Sequence, residues 1–284
     1  MEKSTKKKNP IVLILIFFIG LAIVLYPLAS RVYYNYRGNE EVASFQEGID
    51  ALSQEAIQEK LKLGYAYNSA ILSNDMRPLG DPYSDEEKDQ AIAEYARMIE
   101  VNEKMGAVHI PSIDVTLPIY AGTNEQVLQK GAGHLEGTSL PIGGLNTHGV
   151  ITAHRGLPEN KLFTDLDKMA IGDLFYVETI AGQLAYEVVD IQVIEPTQIE
   201  TLAIQEDRDL VTLLTCTPYM VNSHRLLVTG ERTEIPVATE DTIQTPWWQQ
   251  WLNITLDYKW LLLIILIIII ILVIRQIVKW RQAR

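Results

Sequence analysis

Two long uncharged runs bracket this chain, and they limit what it can fold into before anything between them is considered. Residues 11–28 carry no charged side chain and follow a lysine cluster at Lys3, Lys6, Lys7 and Lys8. Residues 260–274, bounded by Lys259 and Arg275, are almost wholly Leu, Ile and Val, and Ile277, Val278 and Trp280 extend them. Both runs are long enough to cross a hydrocarbon core as a helix. An aliphatic run with no polar face does not suit a surface helix. Trp247, Trp248, Trp251, Tyr258 and Trp260 suit an interfacial aromatic belt. Lysines before the first run and arginines after the second place both tails in the cytoplasm and the intervening chain outside. Ala29 and Ser30 raise the competing reading of a cleaved signal peptide. No A-x-A-like site is clear, so an uncleaved anchor is expected.

Charge supports that division. Nine of the 24 basic residues lie in the two ends, which leaves fifteen against 35 acidic residues in the middle, a formal charge of about −20. Such a balance suits a soluble acidic domain and argues against nucleic acid as a partner. The single cysteine, Cys216, cannot form an internal disulfide. An extracytoplasmic domain without disulfides is compatible with a Gram-positive bacterium.

Between the runs the chain falls into two parts. Residues 39–64 place Val42, Phe45, Ile49, Leu52, Ile57 and Leu61 at helical spacing, which predicts one or two helices. Residues 74–83 contain Pro78, Gly80 and Pro82 and read as a loop. Ser84, followed by Asp85, Glu86 and Glu87, caps a helix expected to reach about Asn102. From Val108 onward the pattern changes to short apolar stretches at 107–110, 115–119, 149–153, 174–179, 184–193, 211–216 and 226–230, broken by Gly and Pro. These predict a mostly β domain, an antiparallel barrel or sandwich. Residues 163–169 read as a short helix, and Gly131-Ala132-Gly133 and Gly143-Gly144 as turns.

Chemistry concentrates in Thr212-Leu213-Leu214-Thr215-Cys216-Thr217-Pro218-Tyr219 and Asn222-Ser223-His224-Arg225-Leu226-Leu227-Val228. Residues 211–216 and 226–229 read as strands, and the residues between them, with Pro218 and Asn222, suit a hairpin loop. Antiparallel pairing across that loop sets Cys216 beside Arg225. A guanidinium next to a thiol favours thiolate, and its fork of donors can bind an oxyanion. Of the five histidines, His109, His134, His148, His154 and His224, His154 stands out. It ends an apolar strand and precedes Arg155-Gly156, so it sits at a strand-to-loop edge. A lone edge histidine or a lone strand-end cysteine is more often structural. Cysteine, histidine and arginine together supply the nucleophile, proton carrier and oxyanion donor that acyl transfer needs. No metal-ligand spacing is present, and no cofactor is expected.

These motifs resemble the sortases, membrane-anchored cysteine transpeptidases of Gram-positive bacteria. Thr212-Leu213-Leu214-Thr215-Cys216 matches their TLxTC signature, and Thr152-Ala153-His154-Arg155-Gly156 and the Arg225 segment stand where the family has its histidine and arginine. Gly133-His134-Leu135-Glu136-Gly137-Thr138-Ser139-Leu140-Pro141, Lys161-Leu162-Phe163-Thr164-Asp165-Leu166-Asp167 and the second apolar run resemble the class C, pilus-assembling branch. Asp81-Pro82-Tyr83 resembles that branch's lid motif.

The resemblance implies a closed β-barrel of about eight strands. It implies Cys216 as nucleophile, His154 as general acid and base, Arg225 as oxyanion or substrate stabiliser, Thr215 and Thr217 as substrate contacts, and a lid formed by Asp81, Pro82 and Tyr83. The expected reaction cleaves an LPxTG-like sorting signal between Thr and Gly through a thioacyl enzyme and joins pilin subunits by lysine isopeptide bonds. Partners are then pilin subunits and the membrane, with a cell-wall precursor or a housekeeping sortase downstream. A sortase of another class, anchoring surface proteins to peptidoglycan, is the enzymatic alternative; a non-catalytic double-anchored scaffold is the other. The resulting map has a cytoplasmic tail at 1–9, an anchor at 10–30 and a helical region at 31–105 with the lid at 75–84. The catalytic barrel follows at 106–240, then a linker at 241–257, a transmembrane helix at 258–278 and a tail at 279–284.

Overall fold

Strands form where apolar β-formers recur between glycine and proline breaks, and the computed structural model closes them into one barrel. The structure describes residues 10–73, 98–155, 157, 160–235 and 275. Among them the barrel strands are β1 Gly106–Ile110, β2 Val115–Ala121, β3 Ala132–His134, β4 Thr147–Thr152, β5 Leu174–Thr179, β6 Gly182–Ile194, β7 Asp209–Thr217 and β8 His224–Thr233. The order around the barrel is β1-β2-β3-β4-β7-β8-β6-β5.

The expectation of an antiparallel barrel holds for most neighbours but not all. β2 pairs parallel with β3, and β4 pairs parallel with β7. The second pairing joins segments about sixty residues apart, and no local turn announces it. β3 is the strand the sequence hides, because Gly131-Ala132-Gly133 reads as a turn. Gly133 is required there: a Cβ at this position would lie 2.2 Å from the Gly122 carbonyl oxygen. The absence of a side chain lets β3 sit against the end of β2. Residues 163–169 form a turn followed by a single 3-10 turn, Leu166–Lys168, in place of the expected helix.

β4 and β7 are buried along both faces, as their unbroken apolar sequence requires. One face points into the barrel, where Ile151, Leu213 and Val228 meet Val108, Ile119, Phe163, Phe175 and Tyr186. The other carries a second cluster of Val150, Leu214 and Leu227 with Leu135, Ile194 and Leu202. Each of these side chains contributes roughly 1.5–3 kcal/mol by leaving water.

The N-terminal helices are α1 Pro10–Asp50 and α2 Gln54–Ser73. α1 runs unbroken through the expected anchor and into the expected helical region. It ends before Ser53, whose hydroxyl accepts the Ala56 N–H at 3.2 Å and caps α2. Phe45 of α1 is fully buried against the barrel core, and Glu41 pairs with the buried Lys104 at 2.8 Å. Asn68 of α2 brackets Leu140, accepting its N–H at 2.7 Å and donating to its carbonyl at 3.1 Å.

The helix expected to reach Asn102 stops at Ile99. Asn102 and Glu103 take positive φ and fold a turn closed by the Val101–Lys104 bridge. Among the described residues no helix is long and apolar enough to cross a membrane; residues 11–28 lie in α1, and only part of their side chains are described. The second apolar run, the lid residues Asp81, Pro82 and Tyr83, and the linker lie outside the described residues.

Candidate active site

The site follows from strand register. β7 and β8 pair antiparallel with Cys216 opposite Arg225, as the hairpin reading requires. Directly opposed residues put their side chains on the same sheet face, with Cβ atoms about 5 Å apart. On the other side of β7, the parallel ladder with β4 pairs Thr152 with Leu214. His154 and Cys216 each stand two residues beyond that pair, so they are level at the same end of the sheet.

Period-two alternation then decides which side chains share the site. Val150, Thr152 and His154 lie on one face of β4 and its extension, Leu214 and Cys216 on that face of β7, and Leu227 and Arg225 on that face of β8. The three expected residues therefore sit at the rim of the second apolar cluster. The alternation also moves Thr215 and Thr217 off that face. Thr215 is fully buried and donates its hydroxyl to the Ala153 carbonyl at 2.7 Å. The Thr217 hydroxyl accepts from Arg155 Nη1 at 2.8 Å. Both threonines tie β7 to the segment carrying His154.

Each charged group of the site is held by identifiable partners. Arg225 is buried, and its Nη1 donates to the carbonyls of Asn222 and His224, both at 3.0 Å. Asn222 takes φ +59° in the β7–β8 loop, which turns its carbonyl toward the guanidinium. Cys216 is 5% exposed. His154 Nε2 lies 3.2 Å from Glu125 Oε2, with the imidazole 18% and the carboxylate 64% exposed. Glu125 opens α3 Glu125–Lys130, which Asn124 caps through the Val127 N–H. The loop before α3 is fixed by the buried Glu136, which accepts from the N–H and the hydroxyl of Thr123.

Sequence reasoning missed Glu125, Arg155 and Asp167. Arg155 is the most connected of them. Its Nε donates to the Thr164 carbonyl at 3.2 Å, Nη1 to Thr217, and Nη2 to Asp167 Oδ2 at 2.6 Å. Its neighbour in sequence, His154, was visible as an edge histidine, but nothing local signals that the guanidinium crosses to β7. No group of His, Cys, Asp and Glu that could hold a metal occurs among the described residues.

The arrangement offers a thiol with a guanidinium opposite and an imidazole level with it on the adjacent strand. That set is suited to acyl transfer through a covalent intermediate. Comparison with known proteins points the same way. A family model described as the sortase domain matches residues 108–233. The crystal structure of sortase C-1 from Streptococcus pneumoniae is 54% identical and covers 69% of this chain and 99% of its own, with a TM-score of 0.66. Sortase C1 of GBS pilus island 1 is 50% identical and covers 73% of this chain and 96% of its own, also with a TM-score of 0.66. Sortase D of Bacillus subtilis is 27% identical over 147 residues, 51% of this chain and 71% of that protein.

Proposed function

The chain belongs to the sortase family of cysteine transpeptidases, and we propose that within it the chain is a membrane-anchored polymerase of pilin subunits. The observation that carries this reading is the register that sets Cys216 opposite Arg225 and level with His154. The similarity at about half identity to sortase C structures supports the pilin branch.

Cys216, as thiolate, attacks the Thr carbonyl carbon of an LPxTG-like sorting signal. The guanidinium of Arg225 receives the oxyanion that forms. His154 gives a proton to the departing Gly nitrogen as the C–N bond breaks, which leaves a thioester on Cys216. The ε-amine of a lysine on another pilin subunit then attacks the thioester. His154 removes the proton from that amine, the C–S bond breaks, and an isopeptide bond and the free thiolate result. The protein supplies placement and charge, and no cofactor enters any step.

The lid of Asp81, Pro82 and Tyr83 belongs to the same proposal. A carboxylate suits the Arg225 guanidinium, and an aromatic ring suits cover over a thiol. The two apolar runs anchor the chain with the barrel outside the membrane and both termini in the cytoplasm. A cell-wall precursor or a housekeeping sortase receives the finished polymer.

The test incubates the full chain in lipid nanodiscs with a pilin subunit bearing its sorting signal, and reads products by mass spectrometry. Wild type yields lysine-linked ladders, and Cys216→Ala yields none. Ladders that survive Cys216→Ala overturn the mechanism. A thioacyl adduct without ladders, even after residues 75–84 are deleted, keeps the cysteine chemistry but moves the acceptor to a peptidoglycan amine.

A further inference from the structure

His154 and Cys216 are each flanked by residues that join their two segments from the opposite face. On the near side, the Ala153 N–H donates to the Leu214 carbonyl at 3.2 Å, and the Thr215 hydroxyl donates to the Ala153 carbonyl at 2.7 Å. These bonds close the ladder between β4 and β7. On the far side, the backbone of residue 155 has left the sheet, and the join is made by a side chain: Arg155 Nη1 to Thr217 Oγ1 at 2.8 Å. His154 lies between residues 153 and 155, and Cys216 between 215 and 217. Both working residues are therefore bracketed, by a backbone tie on one side and a guanidinium tie on the other.

We propose that Arg155 is a positioning residue for the acyl-transfer reaction: its bond to Thr217 fixes the separation between the imidazole of His154 and the thiol of Cys216.

Three features make Arg155 suited to this and a lysine unsuited. Its side chain is only 8% exposed, so water does not compete for its donors. Its three bonds run in three directions, to Thr217, to Asp167 Oδ2 and to the Thr164 carbonyl. A planar fork can hold all three at once, and a single ammonium cannot. The far partners are themselves anchored. The His154 carbonyl accepts from the Phe163 N–H at 3.1 Å, and Phe163 is fully buried in the barrel core. Asp165, one residue after Thr164, pairs with Lys168 at 2.9 Å and Lys161 at 3.3 Å. Thr217 is thus held through Arg155 to a turn packed on the core.

The energetic scale agrees with a positioning role. Loss of about 1 Å of placement between reacting groups can cost on the order of 100-fold in rate. The bracket is therefore read most directly in turnover.

The experiment is a double-mutant cycle between Arg155→Lys and Thr217→Val, with two readouts. Thr217→Val keeps the β-branched shape and removes only the acceptor. The first readout is transpeptidation by the full chain, taken as kcat and KM separately. Each single variant is expected to lose about 10-fold in kcat, with KM within about 2-fold and thermal midpoint within a few degrees. The double variant is expected to lose about 10-fold in total relative to wild type, and not 100-fold, because both changes cut the same bond. The second readout is amide hydrogen exchange at Cys216 and Thr217, expected to rise about 10-fold in each variant.

This inference rests on the transpeptidase reading for its kinetic arm alone. A wild type without turnover would count against that reading and leave hydrogen exchange to decide the bracket. Unchanged exchange overturns the bracket whatever the activity. Additive kinetic losses in the double variant, or a fall in thermal midpoint with kcat per folded molecule intact, also overturn it, since a residue that only supports the fold predicts those results.

Discussion

The two ends of the β4–β7 ladder make opposite use of buried polar groups. At its start, Thr147 pairs with Asp209, and the Asp209 carboxylate is buried among donors: the Gly144 N–H at 2.9 Å, the Tyr186 hydroxyl at 3.2 Å and the Thr147 hydroxyl at 3.3 Å. Burial raises its pKa above the ordinary carboxylate value, although those hydrogen bonds pull the other way. His148, beside it on β4, is bonded at both nitrogens, to the Ala203 carbonyl and the Thr212 hydroxyl. Burial lowers its pKa. The start of the ladder thus shifts its titratable groups toward neutrality. Its finish keeps charge. Arg225 is buried there and the Arg155 side chain is only 8% exposed, and a guanidinium cannot give up its proton to escape the cost. The difference separates structure from chemistry. Groups that can become neutral lock the fold, and groups that cannot do so keep charge in place at the end of the ladder that carries Cys216.

Reciprocal substitutions break this comparison if it is wrong, and their effects are the largest expected. Asp209→Ala strands two donors, the Gly144 N–H and the Tyr186 hydroxyl, while the Thr147 hydroxyl keeps its 2.6 Å bond to the Gly144 carbonyl. It should cost about 3 kcal/mol of stability in urea unfolding, while kcat per folded molecule stays within 2-fold. Arg225→Lys keeps the charge but gives up the fork. It should lower kcat about 100-fold, with little change in thermal midpoint. Equal losses of activity from both substitutions would erase the distinction between the ends.

The sequence disclosed these ends unequally. Cys216 opposite Arg225 follows from local pattern, because two apolar runs and a short loop with Pro218 and Asn222 allow one hairpin. His154 could be picked out as an edge residue, but its level with Cys216 depends on a parallel pairing between distant segments. Local propensity holds no record of such a pairing. The same limit hid Arg155, Glu125 and Asp167, whose partners lie 62, 29 and 12 residues away. It hid β3 as well, since three residues with a glycine make a strand only when β2 and β4 are already in place on either side. For Thr215 and Thr217 the structure adds partners that the sequence does not disclose, the Ala153 carbonyl and the Arg155 guanidinium. In a strand the immediate neighbours of a residue face away from it, so these threonines meet the segment carrying His154 from the opposite face.

Titration sharpens the comparison with a smaller effect. His134 in β3 is fully buried, and burial pushes its pKa down to about 4, outweighing the opposite pull of its bond to the Ser139 carbonyl. The unfolded chain binds a proton there near the ordinary value of about 6.5. A depressed folded-state pKa contributes stability that is full above that value and is lost as pH falls toward 4. Asp209 has the opposite sign: its raised pKa contributes stability that is full below the ordinary carboxylate value and is lost as pH rises through the folded value. The two must therefore be separated. Urea unfolding of wild type against His134→Gln does so, since only one residue differs. Between pH 7 and pH 5 wild type should lose about 2 kcal/mol relative to the variant. Parallel pH profiles would show that His134 is not held neutral.

The smallest effect tests whether the finish of the ladder depends on a carboxylate at all. Glu125 Oε2 lies 3.2 Å from His154 Nε2, and its Oε1 accepts from Gln129 at 2.8 Å. The geometry resembles the carboxylate that orients a histidine in a catalytic triad, but the surroundings differ. The triad carboxylate is buried, whereas Glu125 is 64% exposed at the first turn of a short helix. An exposed pair of this kind contributes about 0.2–1 kcal/mol, which corresponds to at most about 5-fold in rate. Glu125→Gln keeps the shape and an acceptor oxygen, and removes the charge. Turnover should fall by no more than that factor, and the difference should shrink in 1 M salt, where the screening length is about 3 Å. A loss near 100-fold would require Glu125 to hold the imidazole as firmly as a buried carboxylate does. The finish would then resemble the start, with a fixed carboxylate organising its neighbours, and the separation of locking groups from charge-holding groups would fail at the residue nearest the chemistry.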